Sequence, residues 1–474
     1  MLRRTLLMGA TALTLSLGFI VPALADPVTL RIVSKDLSSQ NPDDVRELKA
    51  IEDALRAKGT DIHLQIVEVP SAGYADKLTA MLMSGDIPDI IYFQGGDKAI
   101  ADQGVLEDLT PYIASSQYIK DALFPQNAER LKNYPYLLYV FPPRVSEPVV
   151  RQDWLEKATG GTKPETVDEY VAMWKAFRDG DYDGNGKADT YGVSTADNTD
   201  ALDAIFNQAF GVTSTWMKDG SGQWISSRVS DAEKAKLEFY ASLIKDKLYD
   251  PEYITSHWDV NEDKFYSGRS GTIIGTAGEV IDIYGGKIKA AHPAENPDLV
   301  LLDPPKGPGG QGLIAIDTSK ESRGFAIAST SQHKDEAFKF LDFMASPEGQ
   351  QIDRLGFEGQ EYTKDGDSYE FTDKMATWYA RFSQASNWTP PGEWRSQASI
   401  ESLANAEKYY VADNAFVWPA DYSTDVDQTT TLYREWVYKF ITGQASFDQW
   451  QEYVDAYNAA GGQHMTDYAR TVLK

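Results

Sequence analysis

The fold is decided by the stretch Ile87-Pro88-Asp89-Ile90-Ile91-Tyr92-Phe93, which is apolar along nearly its whole length. A strand with such a continuous apolar pattern is typical of a parallel sheet that helices cover on both faces. Two strand patterns precede it, at residues 28–32 and 63–69, and helical patterns at residues 43–58 and 71–85 separate the three strands. This β-α-β-α-β order predicts an α/β protein that begins with an open parallel sheet.

The end of this third strand is the first candidate site. In open parallel sheets, ligands bind beyond the carboxyl ends of the strands. Phe93 and Gln94 stand at that end and Gly95 follows them. We therefore expect Phe93 and Gln94 to contact a ligand.

A second lobe is predicted to start after Pro142-Pro143, where a new strand and a helix with a capping box at Thr166 and Glu169 follow. The Pro- and Gly-rich residues 304–312 mark the return to the first lobe. The expected domains are a leader at 1–25, lobe 1 at 26–143 and 325–390, lobe 2 at 144–324, and a C-terminal helical segment at 391–474 that packs mainly on lobe 2.

The composition excludes some partners. The 474 residues include 71 acidic and 45 basic ones, which gives a formal net charge of -26. Such a charge repels nucleic acid and anionic lipid, so neither is expected as a partner. With 42% hydrophobic residues the chain can still bury a core.

The N-terminus has the features of a secretory signal peptide: Arg3 and Arg4, an apolar run over residues 5–20, and the small-residue site Ala23-Leu24-Ala25. A retained membrane anchor is the alternative, but the run is interrupted and no later segment reaches the roughly 18 apolar residues of a membrane span. The chain has no cysteine, which excludes disulfides, thiol catalysis and a lipidated cysteine at the cleavage site. We therefore expect a periplasmic protein without a membrane anchor.

The segment from Asp181 to Asp189, D-Y-D-G-N-G-K-A-D, follows the alternating pattern of a calcium loop. Ca²⁺ takes roughly 6–8 oxygen ligands, and alternate residues of a curled loop point inward together. The expected ligands are side-chain oxygens and one carbonyl, from Asp181, Asp183, Asn185, Lys187 and Asp189. Gly192 stands where an EF-hand has a bidentate Glu, so the pattern predicts a structural clip over 181–192 rather than a switch. The alternative is a surface turn without metal.

Enzymes form the main rival class. A secreted acidic protein rich in aromatic residues could be a glycoside hydrolase, which needs two carboxylates about 5–9.5 Å apart, but no acid stands in a recognisable catalytic motif. The chain lacks the G-x-S-x-G pattern of a serine hydrolase. The five histidines lie too far apart in sequence for a zinc motif, and Gly307-Pro308-Gly309-Gly310 lacks the following Lys-Ser/Thr of a phosphate loop.

Several short motifs resemble the extracellular solute-binding proteins of carbohydrate ABC transporters. They are Gly85-Asp86-Ile87-Pro88-Asp89-Ile90, Val150-Arg151-Gln152-Asp153-Trp154-Leu155, Pro164-Glu165-Thr166-Val167-Asp168-Glu169, Phe265-Tyr266-Ser267-Gly268 and Ile441-Thr442-Gly443-Gln444 with Trp450. The length, the calcium loop and residues 356–362 resemble the long subgroup that includes the alginate-binding proteins. In that subgroup an acidic residue commonly follows the last Asp of the loop, and Thr190 stands there in this chain, which leaves either fewer ligands or a water.

The resemblance implies a two-lobe periplasmic binding protein fold of the class II type, with a hinge of two or three crossovers. It also implies a monomeric, non-enzymatic receptor that captures a mono- or oligosaccharide and docks on the membrane permease subunits of an ABC importer. A sugar site needs flat aromatic faces and a few fixed polar groups. The candidate ligand-binding residues are Phe93, Gln94, Arg144, Thr276, Tyr284, Trp388, Trp394 and Arg395. A binding protein for a peptide or another solute remains the alternative.

Overall fold

The computed structural model describes residues 27–473 except 71–72, 142–144, 315–322, 383–384, 389–394 and 417. The predicted signal peptide, Arg144 and Trp394 therefore lie outside the described residues. Among the described residues, no helix is long and apolar enough to cross a bilayer.

Strands and helices alternate along most of the chain. The strands are β1 Val28–Val33, β2 Ile62–Ile66, β3 Ile90–Gln94, β4 Ser146–Arg151, β5 Tyr191–Val193, β6 Trp216–Lys218, β7 Trp224–Ser226, β8 Ser270–Thr276, β9 Leu299–Leu301, β10 Leu313–Ile314, β11 Arg323–Ile327, β12 Tyr362–Asp365, β13 Ser368–Phe371 and β14 Tyr410–Val411. The helices of the first half are α1 Pro42–Ala57, α2 Tyr74–Met83, α3 Asp97–Ala101, α4 Thr110–Ser115, α5 Ile119–Ala122, α6 Pro125–Arg130, α7 Gln152–Thr159, α8 Val167–Asp179 and α9 Asp200–Phe210. Those of the second half are α10 Asp231–Lys245, α11 Trp258–Tyr266, α12 Glu279–Ala291, α13 Lys334–Met344, α14 Pro347–Leu355, α15 Gln397–Tyr409, α16 Ser423–Ile441, α17 Trp450–Tyr457 and α18 Gln463–Val472.

The first sheet has the strand order β11-β3-β1-β2. β1 pairs in parallel with both β2 and β3, as the sequence pattern predicts. β11 returns from far along the chain and pairs antiparallel with β3, with Arg323 opposite Gln94. The sheet is therefore mixed, and its carboxyl edge at β1 and β3 is where the helices after each strand begin.

The second sheet has the order β5-β8-β4-β9. β8 pairs in parallel with β5 and antiparallel with β4, and β4 also pairs antiparallel with β9. The helix α8 covers this sheet from the side of β5, and it begins at the predicted capping box of Thr166 and Glu169. A cap of this kind satisfies two otherwise free backbone N–H groups, which is why the motif could be read from sequence.

Two large hydrophobic cores lie on the two sheets. One includes the buried side chains of β1, β3, β11 and α13, and the other includes those of β4, β5, α8 and α16. Core membership changes between Val140 and Val145, between Leu313 and Phe325, and between Ala385 and Ala398. The chain thus has the two-lobe α/β architecture expected. Residues 142–144, 315–322 and 389–394 lie within these passages and outside the described residues, so the hinge and the exact domain boundaries stay predictions.

Candidate functional site

A cleft of about 1490 Å³ lies between the two sheets and is lined from both lobes. From lobe 1 it takes Lys35 and Asp36 after β1, Tyr92 of β3 and Arg323 of β11. From lobe 2 it takes the end of β8 and one side of α12. The volume exceeds the roughly 300–1,000 Å³ of most small-molecule pockets, so the cleft has room for a ligand of several rings.

Eight aromatic side chains are part of the cleft lining. They are Tyr92, Tyr139, Phe141, Trp258, Tyr284, Phe371, Trp378 and Tyr379. Most are held by protein contacts: Tyr139 stacks on Phe141 with ring centroids 4.9 Å apart, and Tyr284 is only 2% exposed. Trp258 differs, because 41% of its surface is exposed at the first residue of α11. An exposed indole at the mouth of a cleft is suited to stack on the apolar face of a sugar ring.

A buried ionic cluster in lobe 1 supports two of these rings. The Arg381 guanidinium lies 4.4 Å from the ring centroids of both Trp378 and Tyr379. Its Nε donates a hydrogen bond to Asp44 at 2.6 Å, and its terminal nitrogen forms an ion pair with Glu47 at 2.7 Å. Because these partners are buried, the guanidinium is held in one orientation, and the two rings are fixed with it.

The ligand-binding residues predicted from the sequence differ in whether they line the cleft. Phe93 is completely buried in a lobe 1 core, so it packs against the protein rather than against a ligand. Gln94 is half-buried at the end of β3, directly opposite Arg323. Arg323 lines the cleft, but Gln94 is not among the described residues that line it. Thr276, at the end of β8, lines the cleft.

Two of the remaining predicted residues, Trp388 and Arg395, are related to one basic residue, Arg354. Trp388 is half-buried, and the Arg354 guanidinium lies 4.7 Å from its ring centroid. Arg395 is close enough to Arg354 for its charge to lower the pKa of Arg354. Tyr284 lines the cleft on the other side but faces the protein for most of its surface, since its ring packs where a Cβ on Gly275 would lie.

Sequence reasoning missed Arg354, Trp258 and Tyr139. A signal existed for Tyr139, which with Phe141 directly precedes the prolines at the predicted lobe boundary. Trp258 and Arg354 had no such signal, because each stands in an ordinary helical pattern and only the opposite lobe makes its position a cleft wall.

The electrostatics of the cleft are unusual for so acidic a chain. Burial lowers the pKa of Arg354 to about 9, and the charge of Arg395 acts in the same direction. Burial also lowers the pKa of Arg395, an effect that the carboxylate of Asp282 opposes. Burial raises the pKa of Asp36, which the charges of Lys35 and Arg323 counteract. Ionisable groups with shifted pKa values in a cleft are typical of a binding site.

The predicted calcium loop is a tight turn outside the cleft. Its backbone N–H groups bond to its own side chains: Gly186 donates to Asp181, and Lys187 donates to Asn185. The Asn185 amide Nδ2 donates to Asp183 at 2.7 Å and to Asp189 at 3.0 Å. Within the part of the chain that the structure describes, no three acidic or histidine side chains come close enough together to hold a metal.

The loop nevertheless brings its carboxylates near one another. Burial raises the pKa of Asp183, and a hydrogen bond to Asp181 and the charge of Asp189 raise it further. The Asn185 amide would have to rotate, so that its oxygen rather than its nitrogen faces the carboxylates, before the donor set suits a hard cation. Thr190 is buried, and its hydroxyl donates to the Gly268 carbonyl at 3.0 Å.

The comparisons with known proteins agree with this architecture. The family model described as bacterial extracellular solute-binding protein matches residues 41–351, which is more than half of the chain. The chain belongs to this family. The solute-binding protein is 24% identical over 466 residues to a polygalacturonan/rhamnogalacturonan-binding protein of Bacillus subtilis, a match that covers 90% of this chain and 88% of the relative.

A second relative is lipoprotein LipO of Bacillus subtilis, which is 26% identical over 71% of this chain and 68% of its own length. Among solved structures, the alginate-binding protein AlgQ2 without calcium ion superposes with a TM-score of 0.68 at 18% identity, covering 94% of this chain and 98% of that one. The Streptococcus pneumoniae protein FusA in complex with kestose superposes with a TM-score of 0.62 at 18% identity, covering 94% and 98%. At these identities the superpositions show the two-lobe fold alone.

Proposed function

We propose that this protein is the substrate-binding component of a carbohydrate ABC importer and that it captures an oligosaccharide in the cleft between its lobes. The observation that carries the proposal is the cleft itself, which both lobes line and which combines aromatic rings with charged and polar groups. Rings take the apolar faces of sugars, and fixed polar side chains take their hydroxyls. Relatives whose names state that they bind polysaccharide or fructooligosaccharide support the substrate class.

Within the cleft, the proposed ligand contacts come from both lobes. Trp258 and Thr276 contribute from lobe 2, and Arg354 and Tyr379 contribute from lobe 1, with Gln94 opposite the lining residue Arg323. A ligand that touches both lobes is bound more tightly by the closed arrangement than by the open one, so it shifts the equilibrium toward closure. The closed form would then dock on the permease subunits of the importer.

The finer points of the proposal concern location, assembly and metal. We infer export by the signal peptide at residues 1–25, a periplasmic monomer without a membrane anchor, and no enzymatic role. We also propose that the loop at 181–192 holds Ca²⁺ as a structural clip through oxygens of Asp181, Asp183, Asn185, Lys187 and Asp189. One solved structure of AlgQ2 is of the protein without calcium ion, and one of FusA is of an EF-hand mutant; both support the assignment.

The proposal is tested with the mature chain by calorimetry against panels of oligosaccharides and of short peptides. We expect saturable binding of at least one oligosaccharide, with no release of reducing ends when the mixture is incubated and analysed. Binding of peptides but not of sugars would contradict the substrate class. A steady release of reducing ends at enzymatic turnover would instead identify a glycoside hydrolase.

A further inference from the structure

The loop at 181–192 contains the only Asn-Gly pair of the sequence, Asn185-Gly186. In such a pair the backbone nitrogen of the glycine can attack the side-chain amide of the asparagine, and no Cβ hinders the approach. Both residues are exposed, and Gly186 has a φ of +80°. The pair is therefore open to water, and its reactivity depends on the groups that the loop places around it.

The backbone nitrogen of Gly186 is hydrogen-bonded to a carboxylate. Its N–H donates to both carboxylate oxygens of Asp181, at 3.1 Å each. A backbone amide is a weak nucleophile until it loses its proton, and a carboxylate that is already bonded to this proton can accept it during the attack. Asp181 is thus positioned to serve as the base for the Gly186 nitrogen.

The side-chain carbonyl of Asn185 is held by a second hydrogen bond. The backbone N–H of Lys187 donates to its Oδ1 at 2.8 Å. This bond spans two residues, as in an Asx turn, and so folds the side chain back over Gly186. Negative charge develops on Oδ1 when the adjacent carbon is attacked, and a backbone N–H already directed at this oxygen stabilises that charge.

The amide nitrogen of Asn185 faces two carboxylates. Its Nδ2 donates to Asp183 at 2.7 Å and to Asp189 at 3.0 Å. Since the nitrogen faces acceptors and the oxygen faces a donor, the amide has one orientation that satisfies all of these contacts. The nitrogen must gain a proton before it can leave as ammonia, and two neighbouring negative charges favour positive charge on it.

We propose that Asn185 is a self-modification site, at which the loop converts asparagine into aspartate and isoaspartate. The Gly186 nitrogen forms a bond to Cγ of Asn185, its proton passes by way of Asp181 to Nδ2, and the Cγ–Nδ2 bond breaks to release ammonia. Water then opens the succinimide ring. Cleavage at Cγ gives aspartate, and cleavage at the backbone carbonyl carbon gives isoaspartate. The sum is asparagine plus water to acid plus ammonia, with no change of oxidation state.

The reaction changes the chemistry of the loop. It adds one negative charge to a chain whose formal net charge is -26. The aspartate product presents oxygen, in place of N–H donors, to Asp183 and Asp189. The proposed calcium clip would use the same oxygens of Asp181 and Asn185, so bound Ca²⁺ and this reaction exclude each other. The inference is independent of the proposed sugar ligand, because it needs no group of the cleft.

The test compares the folded protein with the same protein unfolded in urea, both incubated at neutral pH in chelator. Peptide mapping by mass spectrometry measures the fraction of residue 185 that has been converted, and fragmentation separates aspartate from isoaspartate. A positioned proton acceptor typically contributes about 100-fold or more to a rate, so in this exposed loop we expect the folded protein to convert Asn185 about tenfold faster than the unfolded one. An equal or lower rate in the folded protein would overturn the proposal.

Variants identify the proton acceptor. Asp181→Asn should slow the conversion in the folded protein to within about threefold of the unfolded rate, because the Gly186 nitrogen loses its base. Asp181→Glu keeps a carboxylate and should recover part of the rate, which a purely structural role of Asp181 would not give. A parent-like rate in folded Asp181→Asn would show that Asp181 is not the acceptor and would contradict the mechanism.

The matched control is Asp179→Asn, which removes an exposed carboxyl group two residues before the loop. Asp179 forms an ion pair with Arg178 at 2.7 Å. This variant should convert Asn185 at the parent rate. If it slows the conversion as much as Asp181→Asn does, the effect comes from charge near the loop rather than from proton transfer, and the role of Asp181 is wrong.

Discussion

At the scale of single residues, Glu147 is a carboxyl group whose two oxygens have no hydrogen-bond partner among the described residues. It is completely buried in β4. Burial, with the charge of Asp303 as a smaller cause, raises the pKa of Glu147 to about 9. The side chain is therefore neutral in the folded protein at pH 7 but ionised in the unfolded chain. A neutral carboxyl inside lobe 2 links the stability of the protein to pH.

The sign of that linkage gives a prediction. Because the folded pKa is raised, the stabilising contribution of Glu147 is present below the unfolded value of 4.5 and is lost as pH rises through 9. Between pH 5 and pH 8 the loss is about 4 kcal/mol for this group alone. Urea unfolding of Glu147→Gln should show a smaller fall in the free energy of unfolding over this range than the parent shows.

The matched control is Glu435→Gln, which removes an exposed carboxyl group from α16. Its pH dependence should follow that of the parent. A Glu147→Gln variant with the parent's pH dependence would mean that Glu147 is ionised in the folded protein.

Trp258 provides the second residue-scale prediction. Trp258→Ala should weaken oligosaccharide binding about tenfold, or about 1.4 kcal/mol, because a sugar ring loses the face on which it stacks. Trp258→Phe should recover part of the affinity. Ile254→Ala removes a similarly exposed apolar side chain that is not part of the cleft lining and should bind sugar as the parent does. Calorimetry with the identified sugar measures all three, and unchanged affinity of Trp258→Ala would remove Trp258 from the site.

At the scale of elements, the loop at 181–192 joins the end of α8 to β5 and is hydrogen-bonded to the turn before β8. The Tyr191 N–H bonds to the Arg269 carbonyl at 2.8 Å, and Thr190 bonds to Gly268. Gly268 has a φ of +79°, and a Cβ at this position would lie 2.6 Å from the Cβ of Asp183. Only glycine fits this conformation and this close approach, so the loop and the turn form one packed unit.

If the loop at 181–192 binds Ca²⁺, calcium should stabilise the folded protein. At a Ca²⁺ concentration of 100 times its dissociation constant, the folded protein should gain about 2.7 kcal/mol over the same protein in chelator. Asp183→Ala should lose most of this gain, since it removes one ligand from the middle of the loop. Thermal melting with calcium and with chelator measures both proteins.

Asp427→Ala, an exposed substitution in α16, serves as the control and should keep the full response to calcium. Equal melting of the parent in calcium and in chelator would show that the loop is a surface turn without metal.

At the scale of the whole molecule, the cleft exists only because two cores built on separate sheets face each other. The prediction is that a bound oligosaccharide brings the lobes together, since it contacts both and so favours the closed arrangement. Small-angle scattering should show a smaller radius of gyration when the saturating sugar is added. The control is a sugar that calorimetry finds not to bind, which should leave the scattering unchanged. Saturation without any change in the radius would contradict closure.

Much of this architecture was predictable because it follows from local patterns. The apolar run at residues 87–93 and the strand at 28–32 specify the parallel core of lobe 1. An alternating apolar pattern indicates a strand that is covered on one face, and a continuous apolar run indicates a strand that is covered on both. The capping box at Thr166 and Glu169 was predictable for the same reason, because two residues only three positions apart form both of its hydrogen bonds. The antiparallel position of β11 was not, because its partner β3 lies more than 200 residues earlier and no turn chemistry joins them.

The sequence by itself determined the two α/β lobes, their helices and caps, and the position of the loop at 181–189 with its calcium-type ligand pattern. Each of these features depends on residues that are neighbours in the chain. Only the tertiary structure decided which residues form the cleft. Phe93 stands at the expected strand end yet is buried, whereas Trp258 and Arg354 stand in ordinary helices and line the cleft. The physical reason is that a residue lines the cleft only if the opposite lobe faces it without covering it. The periodicity of the sequence around that residue carries no information about the opposite lobe.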